Sequence, residues 1–397
     1  MTPNEQQAYR RNITKACTFK FLTMFYIFAG VNIPFFTVWG GLKFSQVMIL
    51  QAFYMLTIFI FEVPTGAIAD RFGRKTSLAL AGLVTGIAAL VYGSYPNFWV
   101  FMLGEALWGL GTALASGADQ AMVYDSLKEL GEEARSKKIL GRWQSLGSVA
   151  IMIAAPIGSL IAKYIGLRWT ILFMAIPLFL ASGLAMTFKE PKVGRRERTT
   201  TYLQTIIEGG KYLRHHKILQ ILAFDLISIS TLSFFIVWIY QVVLERLNVS
   251  IQWFGFVCAM MTILEVMVLN NFSKLERLFG GKRNYIFLTA LVIGLSFVIM
   301  GITKNVVLAV VVIVLIAAFG LTRGALFQNY MNKHIESHNR ATVLSLVSML
   351  YNLSLAFLNV IWGYMVDWNM TVTLVLIGSM TIVLALFSRV EESYLLD

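Results

Sequence analysis

Apolar runs of about twenty residues, separated by short polar breaks, fill almost the whole chain. Each is long enough to cross the roughly 30 Å hydrocarbon core of a bilayer as a helix. Reading runs against breaks predicts spans near 16–39, 45–69, 76–93, 98–122, 139–165 and 169–188, then near 218–244, 253–271, 285–302, 306–328, 341–364 and 371–387. The expected fold is an all-α membrane protein with twelve transmembrane helices in two six-helix halves. The halves cover residues 1–188 and 218–397, with a linker over 189–217. Composition agrees: 57% of the 397 residues are apolar and only 14% charged, which leaves little chain for a soluble domain.

The net charge of +12 invites a nucleic-acid reading until the basic residues are placed. With the N-terminus inside, five of the 33 Lys and Arg fall outside (Lys43, Lys163, Arg168, Arg246, Lys304) and Arg323 falls within a span. The rest lie on the cytoplasmic side, as the positive-inside rule requires. The lipid bilayer accounts for the charge, and no nucleic-acid partner is expected. The polar, basic first fifteen residues show no apolar core with a cleavage site, so no removable signal is expected. Cys17 and Cys258 supply neither a disulfide framework nor a CxxC pair.

The linker contains "EPKVGRRER", irregular by its Pro191 and Gly194. Beyond it Tyr202, Leu203, Ile206, Ile207 and Leu213 recur at roughly helical spacing, which fits either a short surface helix or a solvated linker. A repeat relates the halves. "DRFGRK" from Asp70 follows the second span and "ERLFGGKR" from Glu276 follows the eighth, as two parallel six-helix repeats would place them.

"GAIADRFGRK", with Gly66, Asp70, Arg71, Gly73, Arg74 and Lys75, matches every fixed position of the G-x-x-x-D-R-x-G-R-K loop of the major facilitator superfamily. It lies between the second and third of twelve expected spans, where that family carries it, so the resemblance extends over the whole chain. The chain resembles the twelve-helix drug/proton antiporter-like members, although Glu105 stands where many of them have an arginine and a comparable loop also occurs in sugar and metabolite symporters. The resemblance implies the major facilitator fold, with spans one, four, seven and ten around a central cavity. It also implies a gate in which Asp70 caps the start of span eleven and Arg74 pairs with Asp125.

An ionisable side chain deep in hydrocarbon is costly and marks a functional position unless it snorkels from an end. Glu62, Glu105, Asp119, Asp225, Glu265 and Arg323 qualify. On a continuous fourth helix Glu105, Trp108, Thr112, Ser116 and Asp119 form one polar stripe, with Gly109, Ala113, Gly117 and Ala121 beside it as a packing ladder. Glu105 is the expected proton-exchanging site, since in its surroundings ionisation is costly. Asp119 is either a second such site or a hydrated end charge. Asp225 precedes Ser228, Ser230, Thr231 and Ser233, a pattern suited to a wet wall. Arg323, with Phe319 and Phe327 four residues to either side, either binds an anionic group or neutralises Asp225 or Glu265. Glu62 and Glu265 are gate residues or snorkelling charges. Tyr26, Trp108, Trp143, Phe235 and Trp238 stack a lipophilic substrate or anchor the packing.

No nucleotide-binding loop, metal motif or nucleophile–base pair is present, so neither an enzyme nor a cofactor is expected. His334 and His338 are expected in a wet loop rather than on a metal. The sequence therefore predicts a monomeric secondary transporter of the cell (plasma) membrane, with both termini cytoplasmic. Its expected partners are protons and a small amphipathic or cationic substrate, which it exports. The rival readings are a proton-coupled uptake symporter for an anionic metabolite and a non-transporting lipid-handling or sensor protein.

Overall fold

The computed structural model describes residues 2–192, 202–336 and 338–396, and the described residues are almost wholly helical. The chain divides into two compact units. The first is Met1–Arg198 with Ile251–Ala259, and the second is Thr199–Ser250 with Met260–Asp397.

The first unit contains α1 (Pro3–Thr23), α2 (Phe44–Phe72), α3 (Arg74–Tyr92), α4 (Phe98–Ala115), α5 (Ala118–Glu129), α6 (Ser136–Tyr164) and α7 (Leu167–Ala185). α3 packs between α4 and α7, while α1 runs against α5, α6 and α7. Buried Asn12 of α1 ties three segments together. Its amide donates to Ser126 Oγ at 3.1 Å and to the Lys189 carbonyl at 2.7 Å, and its Oδ1 accepts from Lys189 N at 3.0 Å. All its polar atoms are thereby satisfied away from water.

The second unit contains α8 (Tyr202–His215), α9 (Lys217–Phe234), α10 (Ile236–Arg246), α11 (Phe254–Asn270), whose first turns belong to the first unit, α12 (Phe272–Leu278), α13 (Lys282–Ile302), α14 (Val306–Ile316), α15 (Arg323–His334) and α16 (Arg340–Leu386). α13 pairs along α16, and α9 packs on α15 and α16. The helix expected at the linker exists as α8, and it docks on α16. Tyr212 and Leu213 pack on the unit's core, and Gly209 approaches the Thr342 carbonyl. Tyr202, Leu203 and Ile206 have side chains outside the described residues.

Among the described residues ten helices are long and apolar enough to cross a membrane. One of them, Thr342–Leu386, spans two expected crossings and turns at Asn369, whose φ of −159° and ψ of 104° are non-helical. The first expected span, by contrast, is not one helix: α1 ends at Thr23, turns occupy 24–31, and a π-helical turn follows at Phe35–Trp39. The fourth span also breaks. Ser116 has ψ of 124° and Gly117 a φ of 72°, a left-handed geometry that glycine adopts without strain.

Candidate functional site

α4 begins where the Asn97 side chain accepts the Trp99 N–H at 2.9 Å, closing the helix start. Gly109 then admits α2: a Cβ there would lie 2.8 Å from Thr57. This close approach brings α2 and α3 around Glu105, which is only 3% exposed. Its Oε1 accepts from Gln51 Nε2 at 2.8 Å, and the Tyr92 hydroxyl stands against the same carboxylate. Trp108, one turn along, meets Tyr26 and Tyr92 edge-on, each at 6.1 Å between ring centroids. Next, Thr112 Oγ1 and the Tyr54 hydroxyl lie 3.2 Å apart. One acid is thus set in a wall of aromatic rings and neutral hydrogen-bonding groups. The arrangement suits a lipophilic cation or a proton, because ring faces attract cations and the amide and phenol satisfy the acid's oxygens.

The break at Ser116–Gly117 corrects the expected stripe. Glu105, Trp108 and Thr112 share α4, whereas Asp119 lies in the first turn of α5, half-buried, accepting the Gln120 N–H at 2.7 Å. Gly117 serves the turn, and a Cβ there would meet open space among the described residues, so it admits no close helix approach of the kind the packing ladder implies.

The motif residues also lie differently from a loop. Gly66, Asp70 and Arg71 belong to α2, which runs on to Phe72, and α3 starts at Arg74. Gly73 alone makes the corner, with φ of 91°. Arg74 pairs with Asp125 of α5 and donates to the Ala121 carbonyl at 2.8 Å. The start of α3 is capped by Glu190, a residue that sequence reading missed. Its two oxygens accept Arg74 N at 2.8 Å and Lys75 N at 2.9 Å. In the second unit Glu392 accepts Lys282 N at 3.1 Å and Arg283 N at 2.7 Å, the same device at the start of α13. A carboxylate against the positive end of a helix is favourable in both. Arg71 lies exposed over the Phe72 ring at 5.4 Å, and Glu62 and Glu265 are half-buried on α2 and α11.

In the second unit Arg323, 2% exposed, forms an ion pair with Asp225, 5% exposed. Ser388 Oγ donates to the other Asp225 oxygen at 2.6 Å, and Arg323 donates to the Ile286 carbonyl at 3.2 Å. Phe327 lies under the guanidinium at 4.8 Å, whereas Phe319 turns instead to Tyr285. A cavity of about 330 Å³ opens beside this pair. Phe235 is wholly buried, and the indole nitrogens of Trp238 and Trp143 are buried with no acceptor among the described residues. His334 is not in a wet loop: it ends α15 and bonds the Tyr394 carbonyl at 2.7 Å. Among the described residues no cluster could hold a metal ion.

The sequence profile of the Major Facilitator Superfamily matches residues 17–359. The chain belongs to the Major Facilitator Superfamily. Within it, the chain is 29% identical over 194 residues to the inner membrane transport protein YajR of Escherichia coli K12, covering 47% of this chain and 39% of that protein. It is 28% identical over 134 residues to the puromycin resistance protein pur8 of Streptomyces alboniger, covering 34% and 26%. The matched stretches thus span well under half the length of these curated relatives. The crystal structure of the nucleoside transporter NupG superposes with a TM-score of 0.80 over 94% of this chain and 97% of that one, at 11% identity. That likeness shows a major facilitator fold.

Proposed function

We propose that this major facilitator is a secondary active transporter of the plasma membrane that exports small amphipathic or cationic compounds in exchange for protons. Its termini and the 189–217 linker face the cytoplasm. The observation that carries this reading is Glu105: one acid, enclosed by Gln51, Tyr92 and Trp108, with no cationic side chain paired to it among the described residues. An unpaired buried carboxylate takes either a proton or the cationic group of a substrate, but not both, and that exclusion is what exchange requires. The Trp108, Tyr26 and Tyr54 rings add a surface for an organic cation. A membrane potential contributes about 2.3 kcal/mol per charge per 100 mV to each charge moved. Export also fits the puromycin resistance for which the Streptomyces alboniger relative is named. Arg323, which would clamp an anion in an uptake symporter, is instead engaged by Asp225, Ile286 and Phe327.

The test is transport of tetraphenylphosphonium by the full chain in proteoliposomes. Glu105→Gln keeps the shape of the acid and its partners but carries no exchangeable proton. It should abolish accumulation driven by a pH gradient and leave passive counterflow. Wild-type accumulation by Glu105→Gln would overturn the assignment.

A further inference from the structure

The 330 Å³ cavity of the second unit has polar residues at both ends. Its lining includes the buried residues Asp225 and Arg323, and also Arg283 and Asn284, which are exposed and so mark its mouth. Two guanidinium groups and one carboxylate therefore border it. The carboxylate is spent: one Asp225 oxygen takes Arg323 and the other takes Ser388 Oγ at 2.6 Å. The buried lining atom left without a partner among the described residues is a donor, Arg323 Nε. At the mouth, the Arg283 guanidinium makes no hydrogen bond or ion pair among the described residues. The nearby acid Glu392 is occupied by the backbone N–H groups of Lys282 and Arg283. The lining thus lacks an acceptor and keeps one free cation. The rest of the wall is apolar, and Leu386 on it is 61% exposed, followed by Phe387 at 79%.

We propose that this cavity is a binding site for the phosphodiester headgroup of an anionic phospholipid: Arg283 and the Asn284 amide take the phosphate, and the glycerol end lies along Phe287 and Leu386. A guanidinium at a phosphate is a strong, charge-assisted contact. Basic pockets between membrane helices hold anionic headgroups in this way. The uncovered Leu386 and Phe387 favour a lipid over free phosphate, because only a lipid brings acyl chains to cover them. With Asp225 engaged by Arg323 and Ser388, no lining carboxylate remains for the ammonium of a zwitterionic headgroup, so phosphatidylglycerol is favoured over phosphatidylcholine. In the topology proposed above, the starts of α9 and α13 face the cytoplasm, where anionic headgroups lie. The site goes beyond the transport reading and does not rest on it.

The test is native mass spectrometry of the purified full chain in detergent, which reads the affinity of the first bound lipid and needs no transport step. The probes are dioleoylphosphatidylglycerol, dioleoylphosphatidylcholine, dioleoylglycerol and inorganic phosphate. The wild type should bind the phosphatidylglycerol roughly fivefold or more tighter than the other two lipids, the worth of about one basic residue at an anionic headgroup. Arg283→Gln should erase that preference and Arg283→Lys keep most of it. Arg283 is exposed, so its replacement leaves the fold intact, which an unchanged unfolding temperature without lipid checks. Arg277→Gln, at the end of α12 and off the lining, should bind as the wild type does. Ala385→Leu adds bulk to the cavity wall with every charge kept, and should also weaken phosphatidylglycerol binding. A wild type without preference, or Arg283→Gln that keeps it, overturns the proposal. Equal losses in Arg277→Gln and Arg283→Gln would reduce the effect to a basic surface, and wild-type binding by folded Ala385→Leu would put the lipid outside the cavity. Either result overturns the site. Displacement of phosphatidylglycerol by inorganic phosphate at equal concentration would make free phosphate the occupant and overturn the lipid assignment.

Discussion

Gly73→Ala combines two separable penalties. The backbone at Gly73 has φ of 91° and ψ of 155°, a region essentially confined to glycine, so any side chain there costs about 1–3 kcal/mol. The added Cβ would also lie 2.8 Å from Glu190 Cδ and 2.9 and 3.0 Å from its two oxygens, inside contact distance. The carboxylate must therefore retract from Arg74 N and Lys75 N, and losing a cap of this kind costs a further 0.5–2 kcal/mol or so. Gly73→Ala should then destabilise by roughly 1.5–5 kcal/mol in total. In a Glu190→Ala background only the backbone part remains, so the two substitutions together should cost less than the sum of their separate effects. The shortfall is the coupling energy of a double-mutant cycle. The repeat supplies the control. Gly281 has φ of 129°, but its Cβ would stand 3.5 Å from the Glu392 carboxylate, an ordinary contact. Gly281→Ala and Glu392→Ala should therefore be additive. The measurement is the thermal unfolding midpoint of the seven purified proteins of the two cycles, which share the wild type, followed by tryptophan fluorescence. Additivity at Gly73 and Glu190, or equal coupling in both halves, would refute the steric argument.

Arg323→Met leaves the Asp225 carboxylate buried with only Ser388 to answer it, which should destabilise by about 3–5 kcal/mol, while Asp225→Asn with Arg323→Met recovers most of the loss. Chemical unfolding of both variants decides this, and a stable Arg323→Met would contradict a structural pair. For orientation, single cysteines at Lys192 and Asn97, introduced after replacing Cys17 and Cys258, should react oppositely with an impermeant thiol reagent on intact cells. Labelling at Lys192 from outside would reverse the proposed topology.

The segmentation into spans was legible because bilayer insertion depends on apolar length, a property of consecutive residues. Interruptions were not. Residues 24–31 are as apolar as their neighbours, and the helical spacing of small and polar residues continues unbroken through Ser116 and Gly117, where the chain turns. Glu105 stood out as a charge in hydrocarbon, whereas its partners Gln51 and Tyr92 lie on other helices and look ordinary in their own segments. Lys20 was hidden by position. It falls near the start of the first expected span and reads there as one more of the basic residues on the cytoplasmic side, and only the fold shows it turned onto Trp143. Glu190 and Glu392 carried one readable signal: each follows the last apolar run of its half, at matching places relative to the repeated "GRK" and "GKR" corners.

The distance in sequence between those two acids and the helices they cap sets an order of events during synthesis. Glu190 is 116 residues beyond Arg74, and Glu392 is 110 beyond Lys282. At about 5–20 residues per second, each helix start waits roughly 6–23 s for its carboxylate to leave the ribosome. Throughout that interval Arg71, Arg74 and Lys75 meet the insertion machinery with their positive charge uncompensated by Glu190. The corner between α2 and α3 thus keeps its charge while its side of the membrane is being chosen, and is sealed only once the sixth span of its half has been made.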